Sequence, residues 1–179
     1  MKSTKIALAV LAVSFALAGL AGATSTATQT LSMQVGTICV VSVTGNPSTL
    51  TVAAPGTGGQ TPASGSNNST YVQYTSTVSA GVARKITAAW GGSDAAPAGC
   101  LLRLTATPNI ATNQGSTAGQ ITVSATAQDL VTAIKSCATG TGGTSGAQLA
   151  YSLDVSDPTA LVAGATKTAT VTLTLTDAA

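Results

Sequence analysis

The chain has 179 residues, only 7 % of them charged, and it contains neither His nor Glu. Two of its seven basic residues, Lys2 and Lys5, lie near the start, and the rest of the chain has equal numbers of basic and acidic residues. A near-neutral chain lacks the basic surface that binds nucleic acid or anionic lipid. Without His or Glu, most acid–base catalysis and any His-ligated zinc site are excluded. The composition predicts a protein that is not an enzyme and needs no cofactor or metal.

Residues 1–23 have the organisation of a cleaved export signal peptide. A basic start precedes an apolar run from Ile6 to Leu20, and a small-x-small cleavage pattern ends at Ala23. The apolar run is shorter than the roughly 20 residues of a membrane-spanning helix. We expect a mature chain that begins at Thr24, has no membrane span, and is secreted or displayed on the cell surface.

Residues 24–36 form a polar lead that runs into an alternating apolar strand. Leu31, Met33 and Val35 share one face of this strand, and Gly36 after them can serve as a hinge or bulge. The segment can pair within its own domain as a first strand. It can also leave the domain and complete the sheet of a neighbouring copy, which would build an open filament. The sequence leaves both alternatives open.

Residues 37–179 form the predicted domain, and period-two alternation of apolar and polar residues dominates it. Gly-, Pro- and Asn-rich stretches between the strands predict turns and loops. One segment, Thr126 to Ser136, instead has apolar residues at helical spacing and predicts a short helix. The pattern as a whole predicts an all-β, antiparallel β-sandwich with one short helix, and a barrel is the alternative. Alternation marks strands at residues 31–43, 50–52, 71–78, 84–90, 100–105, 121–125, 149–155 and 169–176.

Three cysteines are present, and an exported chain meets an oxidising compartment. Cys100 and Cys137 both adjoin Gly-rich loops that could bring them together, so we predict a Cys100–Cys137 disulfide. Cys39 is left on the apolar face of its strand. It is then either a buried free thiol or the site of an intermolecular bridge.

Other residues offer weaker sites. Asn67 and Asn68 begin overlapping N-glycosylation sequons. Asp154 and Asp157 are too sparse to predict a calcium site, because Ca²⁺ takes six to eight oxygen ligands. Trp90 shares the apolar face of its strand, which favours the core over an exposed sugar-binding platform.

The two ends of the chain resemble a known class of secreted subunit. An alternating strand runs into Cys39 near the start, and the alternating strand from Ala169 to Thr176 closes the chain. Both resemble the ends of bacterial fimbrial subunits and of spore-coat-protein-U-like secreted domains. The resemblance implies an immunoglobulin-like or pilin-like sandwich that serves as a fibre or pilus subunit.

Two functions follow as expectations. The first is a structural subunit of an extracellular filament, pilus or surface layer, self-associating into a homopolymer and contributing to adhesion or biofilm, with Leu31, Met33 and Val35 as donor-strand residues. The alternative is a monomeric secreted or cell-surface binding module, with surface glycans as its partners. The sequence excludes nucleic acid as a partner in either case.

Overall fold

The structure is a computed structural model that describes residues 25–91, 95–109 and 111–178. The predicted export signal at residues 1–23 lies outside these residues. The chain divides into two units, with the boundary between Gln34 and Val35. The described residues of the first unit form no strand or helix and are exposed. The second unit contains all of the strands.

Ten strands and one single-turn 3₁₀ helix, at Pro158–Ala160, make up the second unit. No helix in the described ranges is long and apolar enough to cross a membrane. The strands are β1 Cys39–Val43, β2 Gly65–Ser76, β3 Arg84–Trp90, β4 Cys100–Thr107, β5 Ser116–Thr117, β6 Ile121–Thr122, β7 Gln128–Ile134, β8 Cys137–Ala138, β9 Ala147–Val155 and β10 Val171–Asp177.

The strands form two antiparallel sheets. The first sheet has the order β1-β2-β9-β4-β6, with β8 also pairing β2, and the second has the order β10-β3-β7-β5. Alternate residues of each long strand point into the space between the sheets. Their burial there excludes water from apolar area, which is the main favourable contribution to folding. The largest fully buried side chains include Ile86, Leu104, Leu130, Ile134 and Leu149. The predicted all-β, antiparallel sandwich is confirmed.

Six of the strands can be placed in the chain order of an immunoglobulin sandwich. An immunoglobulin constant domain has strands A, B, E and D in one sheet and C, F and G in the other. Here β1, β2, β9 and β4 occupy the A, B, E and D positions, and β3 and β10 occupy C and F. The strands β5 to β8 lie in an insertion between D and E, and the seven-residue β7 among them pairs with β3. This assignment places the edge of β10 where strand G would pair.

The predicted helix at residues 126–136 is wrong, because Gln128–Ile134 is strand β7. The pairing of β7 with β3 shifts twice, so β7 carries two extra residues relative to its partner. One of these bulges turns both Leu130 and Val131 inward, and the other contains Ala133 at φ 57°. A bulge breaks the period of two locally. The resulting spacing of Leu130, Val131 and Ile134 imitates one face of a helix.

The N-terminal alternation also predicts more strand than the structure contains. Only residues 39–43 of the predicted strand 31–43 form a ladder, and the predicted strand at 50–52 is replaced by an isolated bridge between Ala53 and Ala63. By contrast, β2 begins at Gly65, inside a stretch whose composition indicates a loop. Pairing with β9 supplies the hydrogen bonds that hold this polar stretch in a strand.

Candidate functional site

The β1–β10 cleft is the space between the edge strand of each sheet, Cys39–Val43 on one side and Val171–Asp177 on the other. In the part of the chain that the structure describes, no strand pairs with the outer edge of either β1 or β10. In an immunoglobulin domain, strand G would pair with the edge of the F strand. Among the described residues, the cleft is therefore where strand G of the immunoglobulin pattern is missing.

The register of β10 identifies the backbone groups that face the cleft. Gly91 N–H donates to Thr170 O, and Ala178 N–H donates to Ala83 O, so even-numbered residues of β10 bond to β3. Hydrogen bonding alternates along an antiparallel strand. The N–H and C=O groups of the odd-numbered residues therefore point to the outer edge. These residues are Val171, Leu173 and Leu175, and their side chains face the core.

The register of β1 has the same consequence on the opposite side of the cleft. Thr44 N–H donates to Tyr71 O, and Thr77 N–H donates to Ile38 O, so even-numbered residues of β1 bond to β2. The backbone groups of Cys39, Val41 and Val43 then face the cleft. Both rims consequently present backbone donors and acceptors at every second residue.

An apolar groove of about 910 Å³ begins at Val171, the first residue of β10. The segments that follow β1 and precede β10, residues 47–54 and 161–169, form its two walls. Lys167 is the only charged residue along the described lining. The groove is thus suited to apolar rather than ionic ligands. Its larger apolar side chains include Leu50, Trp90, Leu102, Leu153, Leu161 and Val171.

The other end of the cleft, its foot, is closed by polar contacts. Arg84 of β3 is only 4 % exposed, and its guanidinium donates to Asp177 Oδ1 at 2.9 Å, to Ser76 Oγ at 3.3 Å, and to Ile38 O. The Cys39 thiol donates to Leu175 O at 3.5 Å. Because a buried guanidinium needs partners for its donors, these contacts draw the start of β1 and the end of β10 together.

The predicted donor-strand residues are the most exposed large apolar residues that the structure describes. Leu31 is 73 % exposed, Met33 87 % and Val35 82 %. Contiguous exposed apolar surface commonly marks an interaction site. Pairing of these residues, either within their own domain or with a neighbouring copy, stays a prediction.

The predicted Cys100–Cys137 disulfide is absent, and all three cysteines are free thiols. Cys100 pairs with Val155 at one end of the sheet, whereas Cys137 pairs with Ser76 beyond the other end of β9. Nine residues of β9 span about 30 Å, while a disulfide needs Cα atoms within about 7 Å. Burial raises the pKa of both thiols.

Cys39 is exposed, contrary to the buried alternative that the sequence offered. Cys39 pairs with Ser76 on one side of β2, and Cys137 pairs with the same Ser76 on the other side of β2. Because β2 separates Cys39 from Cys137, these two thiols cannot join within the sheet. The prediction of an intermolecular bridge at Cys39 stays untested.

The remaining predicted residues have local structural roles. Asn67 donates to Ser48 Oγ at 2.8 Å and accepts from Ser69, whereas Asn68 is exposed at a bulge of β2. Of the two predicted glycosylation sites, Asn68 therefore has the more accessible amide.

The two acidic residues weighed for calcium are already engaged. Asp154 pairs with Arg103 at 2.9 Å, and Asp157 accepts from Thr159 at the start of the 3₁₀ helix. Hydrogen bonds from the Thr159 side chain and backbone lower the pKa of Asp157. Within the described ranges, no three His, Cys, Asp or Glu residues cluster as metal ligands.

The sequence reasoning missed Arg84 and the groove. Arg84 has an inward parity on its strand, which is unusual for a charged residue and was the available signal. The groove had no such signal, since its walls are loops.

Compared with known proteins, this chain matches no protein-family model, no curated protein and no solved structure.

Proposed function

We propose that this protein is a secreted structural subunit of an extracellular filament or pilus. In this assembly, the N-terminal segment of one copy inserts as a strand into the β1–β10 cleft of the next copy. The observation that carries the proposal is the outer edge of β10, which no strand of the described residues pairs, together with the apolar groove that begins at Val171. An exposed strand edge can pair with a strand of another chain, and for this reason most proteins cover or shorten such edges.

The backbone of the cleft suits an incoming strand. Strand addition gains affinity from main-chain hydrogen bonds and specificity from pockets for alternate side chains. Val171, Leu173 and Leu175 direct their backbone groups to the cleft over about 13 Å. The N-terminal segment has apolar side chains at the same spacing, at Leu31, Met33 and Val35.

The charges of the segment and groove also agree. Residues 25–36 carry no charged side chain, and the groove lining is almost uncharged. Insertion would therefore bury apolar area without burying an unpaired charge. Since the donated segment and the cleft are different surfaces of the chain, the contact is heterologous, and such contacts build an open filament when the rotation between copies does not close a ring.

Full insertion requires the foot of the cleft to open. A strand between two others needs them about 9.5 Å apart, whereas β1 and β10 approach within 8 Å in places. The wide groove is the natural point of entry, and the contact between Cys39 and Leu175 O must break as the strand advances.

A monomeric binding module is the second candidate. Trp90 and Tyr151 both line the groove, and aromatic faces are the usual stacking surface for sugars and other flat ligands. This function predicts a saturable small ligand in the groove and no self-assembly.

The experiment uses Trp90, the single tryptophan of the chain, as a reporter inside the groove. A synthetic peptide of residues 25–35, which contains no aromatic residue, is titrated into the purified mature protein. We expect a saturable blue shift of Trp90 fluorescence and a higher thermal midpoint. Negative-stain microscopy of the protein collected from outside its own cells should show regular fibres.

The control is the same peptide with Leu31→Asp and Met33→Asp. It keeps the backbone but should bind far more weakly, because two carboxylates would enter an apolar groove. Equal effects of the two peptides, or discrete monomer-sized particles in place of fibres, would overturn strand donation. Saturation by an oligosaccharide would then favour the binding module.

A further inference from the structure

Thr77 holds the three residues before β1 against the end of β2. Its hydroxyl donates to Gly36 O at 2.8 Å and accepts from Ile38 N–H at 2.6 Å. Its own N–H donates to Ile38 O at 2.9 Å, and Arg84 donates to the same carbonyl. Three bonds from one residue thus continue the β1–β2 ladder backwards as far as Gly36.

This contact lies on the side of β1 that faces away from the cleft. Gly36 and Ile38 are bonded toward β2, whereas the cleft is at the opposite edge of β1. To enter its own cleft, the N-terminal segment would have to turn back on β1 through residues 36–38. A tight hairpin reverses the chain within these few residues. The same residues cannot form that turn and remain bonded to Thr77.

We propose that Thr77 anchors the chain at Gly36 and so commits the N-terminal segment to a second copy of this protein instead of its own cleft. This inference rests on the proposed function and concerns its partner. The Thr77 contact fixes only the direction in which the chain leaves Gly36. Its hydrogen bonds involve neither the groove nor the donor residues Leu31, Met33 and Val35. It would prevent each subunit from completing itself and ending the filament.

The test compares full-length mature protein with Thr77→Val, which keeps the side-chain shape and removes the hydroxyl. Thr75→Val, two residues earlier and at the same parity near the end of β2, is the matched control. Thermolysin cleaves before large apolar residues, so dilute monomer is digested and cleavage at Leu31 and Met33 is followed by mass spectrometry. We expect rapid cleavage in wild type and control, and cleavage about thirtyfold slower in Thr77→Val, the factor that the two hydrogen bonds of the lost hydroxyl carry together.

Self-completion should also be visible in assembly. The Thr77→Val protein should leave a larger fraction of folded monomer that neither sediments nor responds to the peptide of residues 25–35. Thr77→Ser, which restores a hydroxyl, should return both measurements toward wild type. Cleavage of Thr77→Val at the wild-type rate, in protein that still binds the peptide, would overturn the inference and leave the proposed function standing.

A second variant avoids any change inside the domain. A Gly-Ser-Gly-Ser linker between Val35 and Gly36 allows the segment to pass around the anchor while Thr77 stays intact. We expect it to protect the segment as Thr77→Val does. If the linker variant stays cleavable although its cleft binds the peptide, the anchor does not decide the partner. If the wild-type cleft does not bind the peptide at all, the proposed function fails and the inference falls with it.

Discussion

Replacing Met33 with Asp tests strand donation most directly. The Met33 side chain is 87 % exposed in the subunit, so nearly its whole apolar area remains to be buried by a partner. Full burial of a methionine contributes about 1.5–3 kcal/mol. Its loss alone should weaken each subunit contact by about 10–100-fold. A carboxylate in the groove adds the further cost of an unpaired buried charge.

The assay measures the sedimenting fraction against total protein concentration, which gives the concentration at which filaments begin to form. We expect this concentration to rise by roughly 100-fold for Met33→Asp, while urea unfolding of the subunit changes by no more than about 0.5 kcal/mol. Gln34→Asp, one residue along and of opposite parity, adds the same charge and should have little effect. The reasoning is refuted if both variants assemble like wild type, or if both fail equally.

Three further outcomes follow from the folded domain. Gly146→Ala should lower the free energy of urea-induced unfolding by ~2–4 kcal/mol, because Gly146 has φ 94° and an added Cβ would lie 2.1 Å from Val72 O. The control Gly143→Ala, where an added Cβ meets open space, should leave this free energy nearly unchanged. Burial raises the pKa of Tyr74 above its usual value of about 10, so the unfolded chain loses the phenol proton at a lower pH than the folded chain does. The free energy of unfolding should therefore fall as pH rises above about 10, and Tyr74→Phe should make this fall less steep. A thiol reagent should modify Cys39 first in the native protein, and three thiols should react after unfolding without reductant; a mass that shows fewer reactive thiols would contradict the absence of a disulfide.

The buried guanidinium of Arg84 lies at the foot of the cleft, between the edge strands β1 and β10. Arg84 could be replaced by an apolar residue only if another group held the foot of the cleft, where its guanidinium donates to Ser76 Oγ and is a second donor to Ile38 O beside Thr77 N–H. Removal of one partner of a buried polar contact commonly costs more than the contact contributes. Arg84 therefore holds the two sheets together where no strand joins them.

The alternation of residues was enough to predict the strands that have one buried and one exposed face. β3, β9 and β10 all lie where the period of two indicates, because burial of one face imposes that period directly on the sequence. The opposite parity of Tyr71 and Tyr74 indicates that one of them faces outward without telling which, and in the structure Tyr74 is buried and Tyr71 is half-buried. The alternation also indicated that Trp90 packs against the core.

Tertiary structure alone decided the features that depend on pairing between distant strands. The bulges of β7 exist only relative to β3, so a strand with two extra residues has the sequence pattern of a helix. Cys100 and Cys137 adjoin similar loops in sequence, but strand directions place them at opposite ends of one sheet. The open edge of β10 has no local signature either, because an unpaired strand alternates just as a paired one does. Local sequence records which face of a strand is buried, whereas its hydrogen-bonding edges are set by neighbours far away along the chain.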